Sequence, residues 1–312
     1  MNNILVCGSV AFDTIAVFEG RFKDHILPDS IGSLSVSFLV PSMRKEYGGC
    51  AGNIAYNLRL LGAQPLPVAV VGVDAQDYLA YLQKLGVDTR HIHVKQDAYT
   101  PQCFITTDLD SNQITSFHPG AMQFSQDNDW GDTVAAWGIV APDAKAGMLV
   151  HAQRLHAQGI PFVFDLGQAM PLFDGEDLLH VLQLAQILTA NEYEASVIEQ
   201  RTGRSLPDIA ANMQAVIVTR GAQGATLYAD GSEQHLPALP AGQILDPTGC
   251  GDAHRAGLLH GLVQGWSLRE ACSLANVMGG IKIASQGTQN HRPTREHIAA
   301  LLRQHYGVEK SL

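Results

Sequence analysis

From about residue 135 onward, short apolar runs alternate with stretches of helical period, and few folds accommodate that order. Residues 137–141, 161–166, 187–189 and 216–219 read as strands, with helices over 144–159, 177–186 and 192–202 between them. Strands that are apolar along their whole length are covered on both faces, as in a parallel sheet flanked by helices. The N-terminal runs 4–8 and 68–72 have the same character, and helical patterns ending at Gly62 and Gly86 follow the chain between and after them. Two further strand candidates, 225–228 and 234–236, precede helices over 250–264, 268–285 and 295–306. The expected fold is α/β, a doubly wound, mostly parallel sheet with helices on both faces. With no internal repeat or Ser- or Pro-rich linker, the 312 residues are expected to form a single domain.

Some segments stand outside this alternation. Residues 14–18 and 34–40 are short and β-branched, and 103–107 and 113–117 flank the polar turn 108–112 like a hairpin. They predict a small β-sheet set apart from the main one.

Charge and cysteine content narrow the function classes. Lys and Arg number 20 against 30 Asp and Glu, a balance of −10, the wrong sign for generic affinity to nucleic acid or an anionic membrane. Backbone donors could still bind a small anion. Five cysteines without a C-x-x-C pair predict free thiols in a reducing compartment. No signal peptide is visible and no apolar run approaches the roughly 20 residues that span a bilayer, so a cytoplasmic location is expected.

The densest chemical signal is Asp246-Pro247-Thr248-Gly249-Cys250-Gly251-Asp252 at the start of a helix. Glycines there let backbone N–H groups converge on an anion, and the helix dipole favours negative charge. A carboxylate beside such a hole, Asp252, can accept a proton from a hydroxyl attacking a phosphoryl group. A Gly-rich loop with a capping aspartate accounts for the same residues without any ligand. Tyr47-Gly48-Gly49-Cys50-Ala51-Gly52-Asn53 also opens a helix, and Asn53 offers donor and acceptor to a hydroxylated ligand. Asp13, placed at the end of the first strand, suits vicinal hydroxyls. Asn191 and Glu194 cap a helix or hold a hydrated Mg²⁺. Thr219 leads into a strand-to-turn glycine pair, Gly221 and Gly224, that either closes a hairpin or lies under a nucleotide. There is no G-x-x-x-x-G-K-[ST] loop, no H-E-x-x-H, and no G-x-G-x-x-G after the first strand. His91 and His93 read as surface, as do most of the 13 histidines.

Taken in order, Asp13, Gly48-Gly49…Asn53, Asn191-x-x-Glu194, Thr219-x-Gly221-x-x-Gly224 and Asp246…Gly249-x-Gly251-Asp252 resemble the ribokinase-like (PfkB) family of carbohydrate and nucleoside kinases. The likeness runs from Gly8 to about Gly287. It implies a β-sheet lid drawn from about 13–47 and 98–117, and ATP with Mg²⁺ as cofactors. A monovalent cation such as K⁺ is a further candidate near Asp246, although Pro247 stands where Thr is more common and removes a donor. The resemblance assigns Asp252 as the base and Gly249, Cys250 and Gly251 as the anion hole. It assigns Asn191 and Glu194 to Mg²⁺ and phosphate, and Thr219, Gly221, Gly224 and Asn276 to the nucleotide. Asp13, Gly48, Gly49 and Asn53 would hold sugar hydroxyls. His254 replaces the aromatic that often follows Asp-Ala.

The segment Phe117-His118-Pro119-Gly120-Ala121-Met122 resembles the nucleoside-using branch of that family. Phe12, Phe117 and Met122 would supply an apolar face for a base, or simply pack in the lid. The expected partners are a nucleoside and ATP, with no nucleic acid or membrane, in a monomer or homodimer. The expected reaction is 5′-phosphorylation of a purine nucleoside, adenosine first, then inosine and guanosine. A sugar kinase is the alternative. A phosphorylated sugar would require basic residues at the lid, where Arg44, Lys45 and Lys95 are the candidates. A silent ligand-binding relative is the other alternative.

Overall fold

The computed structural model describes residues 2–26, 35–110 and 112–312. Its main sheet has nine strands among them, in the order β13-β12-β11-β10-β9-β8-β1-β4-β5. The chain starts in the middle with β1 (Asn3–Cys7), which pairs in parallel with β4 (Gln64–Gly72) on one side and β8 (Trp137–Val140) on the other. β5 (Ile92–Lys95) adds to β4 at one edge. The sheet grows the other way through β9 (Phe162–Asp165), β10 (Ile187–Asn191) and β11 (Ala215–Thr219), all parallel. β12 (Ala225–Ala229) and β13 (Ser232–Leu236) close that side antiparallel.

The continuous apolarity of the central strands has the expected cause. In β1, Ile4 and Val6 enter one core and Leu5 and Cys7 enter another on the opposite face. The first core receives α1 (Cys50–Leu60), α2 (Gln76–Lys84), α7 (Cys250–Val263) and α8 (Leu268–Lys282). The second receives α3 (Lys145–Ala157), α4 (Gly175–Leu184), α5 (Glu192–Thr202) and the short α6 (Leu206–Ala210). α9 (Arg295–Tyr306) packs on a third cluster with Trp266 and Met278. The strand order reverses between β1 and β8, and ligands bind α/β sheets beyond the carboxyl ends at such a point.

A second, four-stranded sheet has the order β3-β2-β6-β7, formed by β2 (Ala11–Val17), β3 (Ser42–Gly48), β6 (Gln102–Thr107) and β7 (Gln113–His118). Three expectations change here. Residues 35–40 form no strand, Leu34 lies outside the described residues, and the strand is Ser42–Gly48 instead. This is a polar, largely exposed edge strand, and edge strands carry charge that discourages unwanted pairing. Asp13 lies inside β2 rather than at the end of the first strand. Phe12, on the other face of β2 from Asp13, is buried against Tyr47 and Tyr78 with the Lys45 ammonium over its ring, so it packs the lid and faces no cavity. Of the 13 histidines only His151, His254, His260 and His291 are buried, so most are solvated as expected.

Candidate active site

Two cavities meet at the N-terminus of α7. The first, about 580 Å³, lies beyond the carboxyl ends of β1 and β8 and under the small sheet. Lid register builds its roof. Asp13 is paired with Cys103 and Cys103 with Phe117, so the three side chains stand in one row across the sheet. Ile105 and Thr115, two residues along, share that face. All five line the cavity, with Met122, Pro142, Ala169, Pro171 and Leu172 completing a largely apolar wall. Its floor carries Gly49, Asn53, Thr248, Gly249, Asp252 and Thr288.

Asp252 sits in the first turn of α7. Asn53, on α1, donates its Nδ2–H to Asp252 Oδ2 at 2.8 Å. Asn53 is itself held by Gln289, whose Nε2 donates to Asn53 Oδ1 at 2.9 Å and to the Tyr78 hydroxyl at 2.6 Å. That hydroxyl donates to the Gly48 carbonyl at 2.7 Å. The chain of contacts locks both the amide orientation and the carboxylate it serves. Burial pushes the Asp252 carboxyl up to about 7, with the Asn53 hydrogen bond opposing, the Asp165 carboxylate adding and the Arg255 guanidinium opposing. A group titrating near neutral pH is suited to taking up a proton and releasing it. Asp13 is pushed up to about 6, chiefly by burial and then by the Glu46 and Asp246 carboxylates.

The glycines at the α1 entrance have separate duties. Gly49 takes φ 80°, and a Cβ there would meet the Ala11 nitrogen and Ser9 oxygen at 2.6 Å. Gly48 does not line the cavity, but a Cβ on it would lie 2.5 Å from Asp13 Oδ2. Gly48→Ala should therefore turn the Asp13 carboxylate away from the cavity. For the kinase that the resemblance implies, the expected result is an acceptor KM raised by about 10- to 100-fold, the value of a lost charged hydrogen bond, with the ATP KM unchanged. Steady-state kinetics with each substrate varied in turn would measure it, and an unchanged acceptor KM would remove Asp13 from acceptor binding.

The second cavity, about 550 Å³, lies beyond β11. Thr219, Gly221, Gly224, Cys250, Gly251 and Asn276 line it. Asn276 Nδ2 donates to the Leu236 and Pro237 carbonyls at 3.2 and 3.0 Å, so its amide braces the cavity wall. His254 also lines it; burial lowers its pKa to about 3, which keeps the ring neutral. Gly249 adopts a left-handed φ of 79° at the mouth between the cavities. Of the three expected anion-hole donors, the Cys250 N–H is turned onto the Pro247 carbonyl at 3.2 Å, so part of its capacity serves the loop.

Asn191 and Glu194 line neither cavity. They form a reciprocal cap of α5, with Glu194 oxygens accepting from the Asn191 backbone N–H and Nδ2 at 2.8 Å. Burial raises the Glu194 pKa, with the Asp165 carboxylate adding and Arg255 opposing. Among the described residues no three His, Cys, Asp or Glu side chains are grouped to hold a metal ion. The oxygen donors of Asn191 and Glu194 fit a hydrated Mg²⁺ carried on phosphates and reached through water, not one caged by protein. A monovalent cation next to Asp246 does not fit: the Lys282 ammonium already donates to the carbonyls there.

Several residues at the site escaped sequence reasoning. Asp143 follows β8 and lines the first cavity, and the rule for carboxyl ends of α/β strands could have found it. Thr288, Gln289 and the buried pair Asp165–Arg255 carry no local signal. Asp165 Oδ2 and Oδ1 accept from Arg255 Nε and an Nη at 3.1 and 3.0 Å, just beneath Asp252.

A model of the pfkB family of carbohydrate kinases matches residues 1–295. The chain belongs to the pfkB family. A Burkholderia thailandensis nucleoside kinase solved in complex with inosine is 45% identical, with a TM-score of 0.88 over 99% of this chain and 100% of that one. The same protein in complex with ADP-inosine gives 46% and 0.86 over 99% and 97%. A nucleoside kinase of Methanocaldococcus jannaschii is 28% identical over 98% of each chain, and its crystal structure gives a TM-score of 0.89. This pfkB-family chain thus has the ribokinase-like fold and is a phosphotransferase that uses ATP and acts on a hydroxyl group of a small molecule. No helix among its described residues is long and apolar enough to cross a membrane.

Proposed function

We propose that this pfkB kinase transfers the terminal phosphoryl group of ATP to the 5′-hydroxyl of a purine nucleoside, with adenosine, inosine and guanosine as acceptors. One observation carries the reading. Asp252 faces a cavity whose walls are apolar and aromatic and whose 21 lining residues include no Lys or Arg. A base needs such walls, and a phosphorylated sugar would need cations. Of the lid residues, Arg44 is spent on Glu46 and Lys45 on the Phe12 ring. Arg21 and Lys23, in the same stretch of chain, pair with Asp110 on the outside. The relatives named as nucleoside kinases support the same acceptor class.

In this reading the nucleoside lies in the first cavity, its ribose hydroxyls on Asp13 and Asn53 and its base against Phe117 and Met122. ATP lies in the second, with its terminal phosphate at the amides of Gly249 and Gly251. Mg²⁺ on the phosphates, reached through water from Glu194, would neutralise their charge. Asp252 accepts the 5′-hydroxyl proton as the oxygen attacks in line, and the helix terminus stabilises the spreading negative charge. Lid and loop exclude water, which limits ATP hydrolysis. The five free cysteines suit a reducing, cytoplasmic setting.

The test is a coupled ADP-release assay with ATP and Mg²⁺ over purine and pyrimidine nucleosides, ribose and fructose. Turnover on adenosine, inosine or guanosine is expected. Turnover on ribose or fructose alone would make the protein a sugar kinase, and silence on every acceptor would leave a ligand-binding relative.

A further inference from the structure

One buried charge beside the anion-hole loop has no part in the reaction above. Lys282, the last residue of α8, is fully buried. Its Nζ donates to the Asp246 carbonyl at 2.7 Å and the Ser285 carbonyl at 3.0 Å, and stands 4.0 Å from Asp246 Oδ2. These oxygens belong to two different segments. Asp246 opens the loop that runs through Thr248 and Gly249 into α7. Ser285 begins the stretch that delivers Thr288 to the acceptor cavity and Gln289 to Asn53. The Asp246 carboxylate ties the same segments a second time, accepting from the Thr248 and Gly287 amides at 2.9 Å each.

Backbone carbonyls and a carboxylate gathered around one unit of positive charge make the hard-oxygen donor set that a monovalent metal ion takes. Here the charge is covalently attached. We propose that Lys282 is a tethered substitute for a monovalent cation, holding the anion-hole loop against the 283–290 segment so that the enzyme needs no K⁺. It is a positioning residue, since it touches neither cavity and acts only through the loop. The titratable groups facing it are Asp246, Cys250 and His291. The turnover arm of its test rests on the kinase reading, whereas the stability arm does not.

The experiment compares wild type and Lys282→Met in K⁺, NH₄⁺, Na⁺ and tetramethylammonium at one ionic strength. Turnover and thermal midpoint are both measured. Wild type is expected to show the same turnover and midpoint in all four salts. Lys282→Met in tetramethylammonium should lose about tenfold or more in turnover, the scale of a misplaced catalytic loop. K⁺ or NH₄⁺ should restore it saturably and raise the midpoint of the variant alone. Activation or stabilisation of wild type by K⁺ would overturn the proposal, as would full turnover of the variant in tetramethylammonium. A folded variant that no cation rescues would make Lys282 merely structural and overturn it too. Should the methionine variant not fold, Lys282→Gln takes its place, and the wild-type salt series still decides. If no acceptor supports turnover, the kinase reading fails, while the midpoints continue to test the tethered cation.

Discussion

Replacing Asp252 with asparagine is expected to lower turnover by about 10²- to 10⁴-fold, the usual contribution of a positioned general base. Asparagine preserves shape and can still accept from Asn53 Nδ2, which donates to the native carboxylate at 2.8 Å. The loss would therefore report the missing base and not a collapsed site. ATP affinity should change little, since the second cavity, where ATP is proposed to lie, is lined by Cys250 and Gly251 and not by Asp252. Because Asp252 is pushed up to about 7 and must be ionised to accept a proton, wild-type kcat/KM should rise through neutral pH and level off above it. That limb should be missing from the variant's residual activity. Stability supplies a control with a definite sign. A carboxyl whose folded pKa is raised holds its proton longer in the folded state, so its ionisation destabilises the fold as pH rises from about 4 toward 7. Asp252→Asn should then match wild type in thermal midpoint at pH 4 and exceed it at pH 8. Unchanged turnover would remove Asp252 from the base role.

The other large effect is expected beneath the same site. Arg255 and Asp165 form a bidentate ion pair with side chains only 5% and 6% exposed. Removing one partner of a buried pair leaves the other charge uncompensated, typically at a cost of about 3–5 kcal/mol. Arg255→Met should lose stability on that scale in chemical denaturation, and combining it with Asp165→Asn should recover part of the loss. The pair also sets the charge environment of Asp252, since Asp165 raises its pKa and Arg255 lowers it. The rising limb of the pH–rate profile should move to higher pH in Arg255→Met and to lower pH in Asp165→Asn. Shifts in the same direction would show that the pair acts on Asp252 through packing instead of charge.

These effects mark where sequence reading succeeds and where it runs out. The central strands of the main sheet were legible because they are buried on both faces, which leaves an uninterrupted apolar run in the chain. The strands that were missed lie at edges, β3 in the small sheet and β5 in the main one. β3 reads Ser42-Met43-Arg44-Lys45-Glu46-Tyr47-Gly48, and β5 buries Ile92 while its other residues are more exposed. Neither leaves a periodic trace, because the sheet covers too little of it.

The segments 48–53, 219–224 and 246–252 were also readable, because a turn that opens a helix needs glycines and capping groups that are neighbours in sequence. What makes them a site is not local. Asn53 meets Asp252 across 199 residues and Gln289 across 236; Arg255 meets Asp165 across 90; and Lys282 reaches the Asp246 carbonyl across 36. Such contacts depend on how helices dock on the sheet, and no spacing in the chain encodes them. Protonation follows the same division. Sequence supplies a carboxyl group at position 252, but burial and neighbouring charge, which exist only after folding, move its titration to neutral pH.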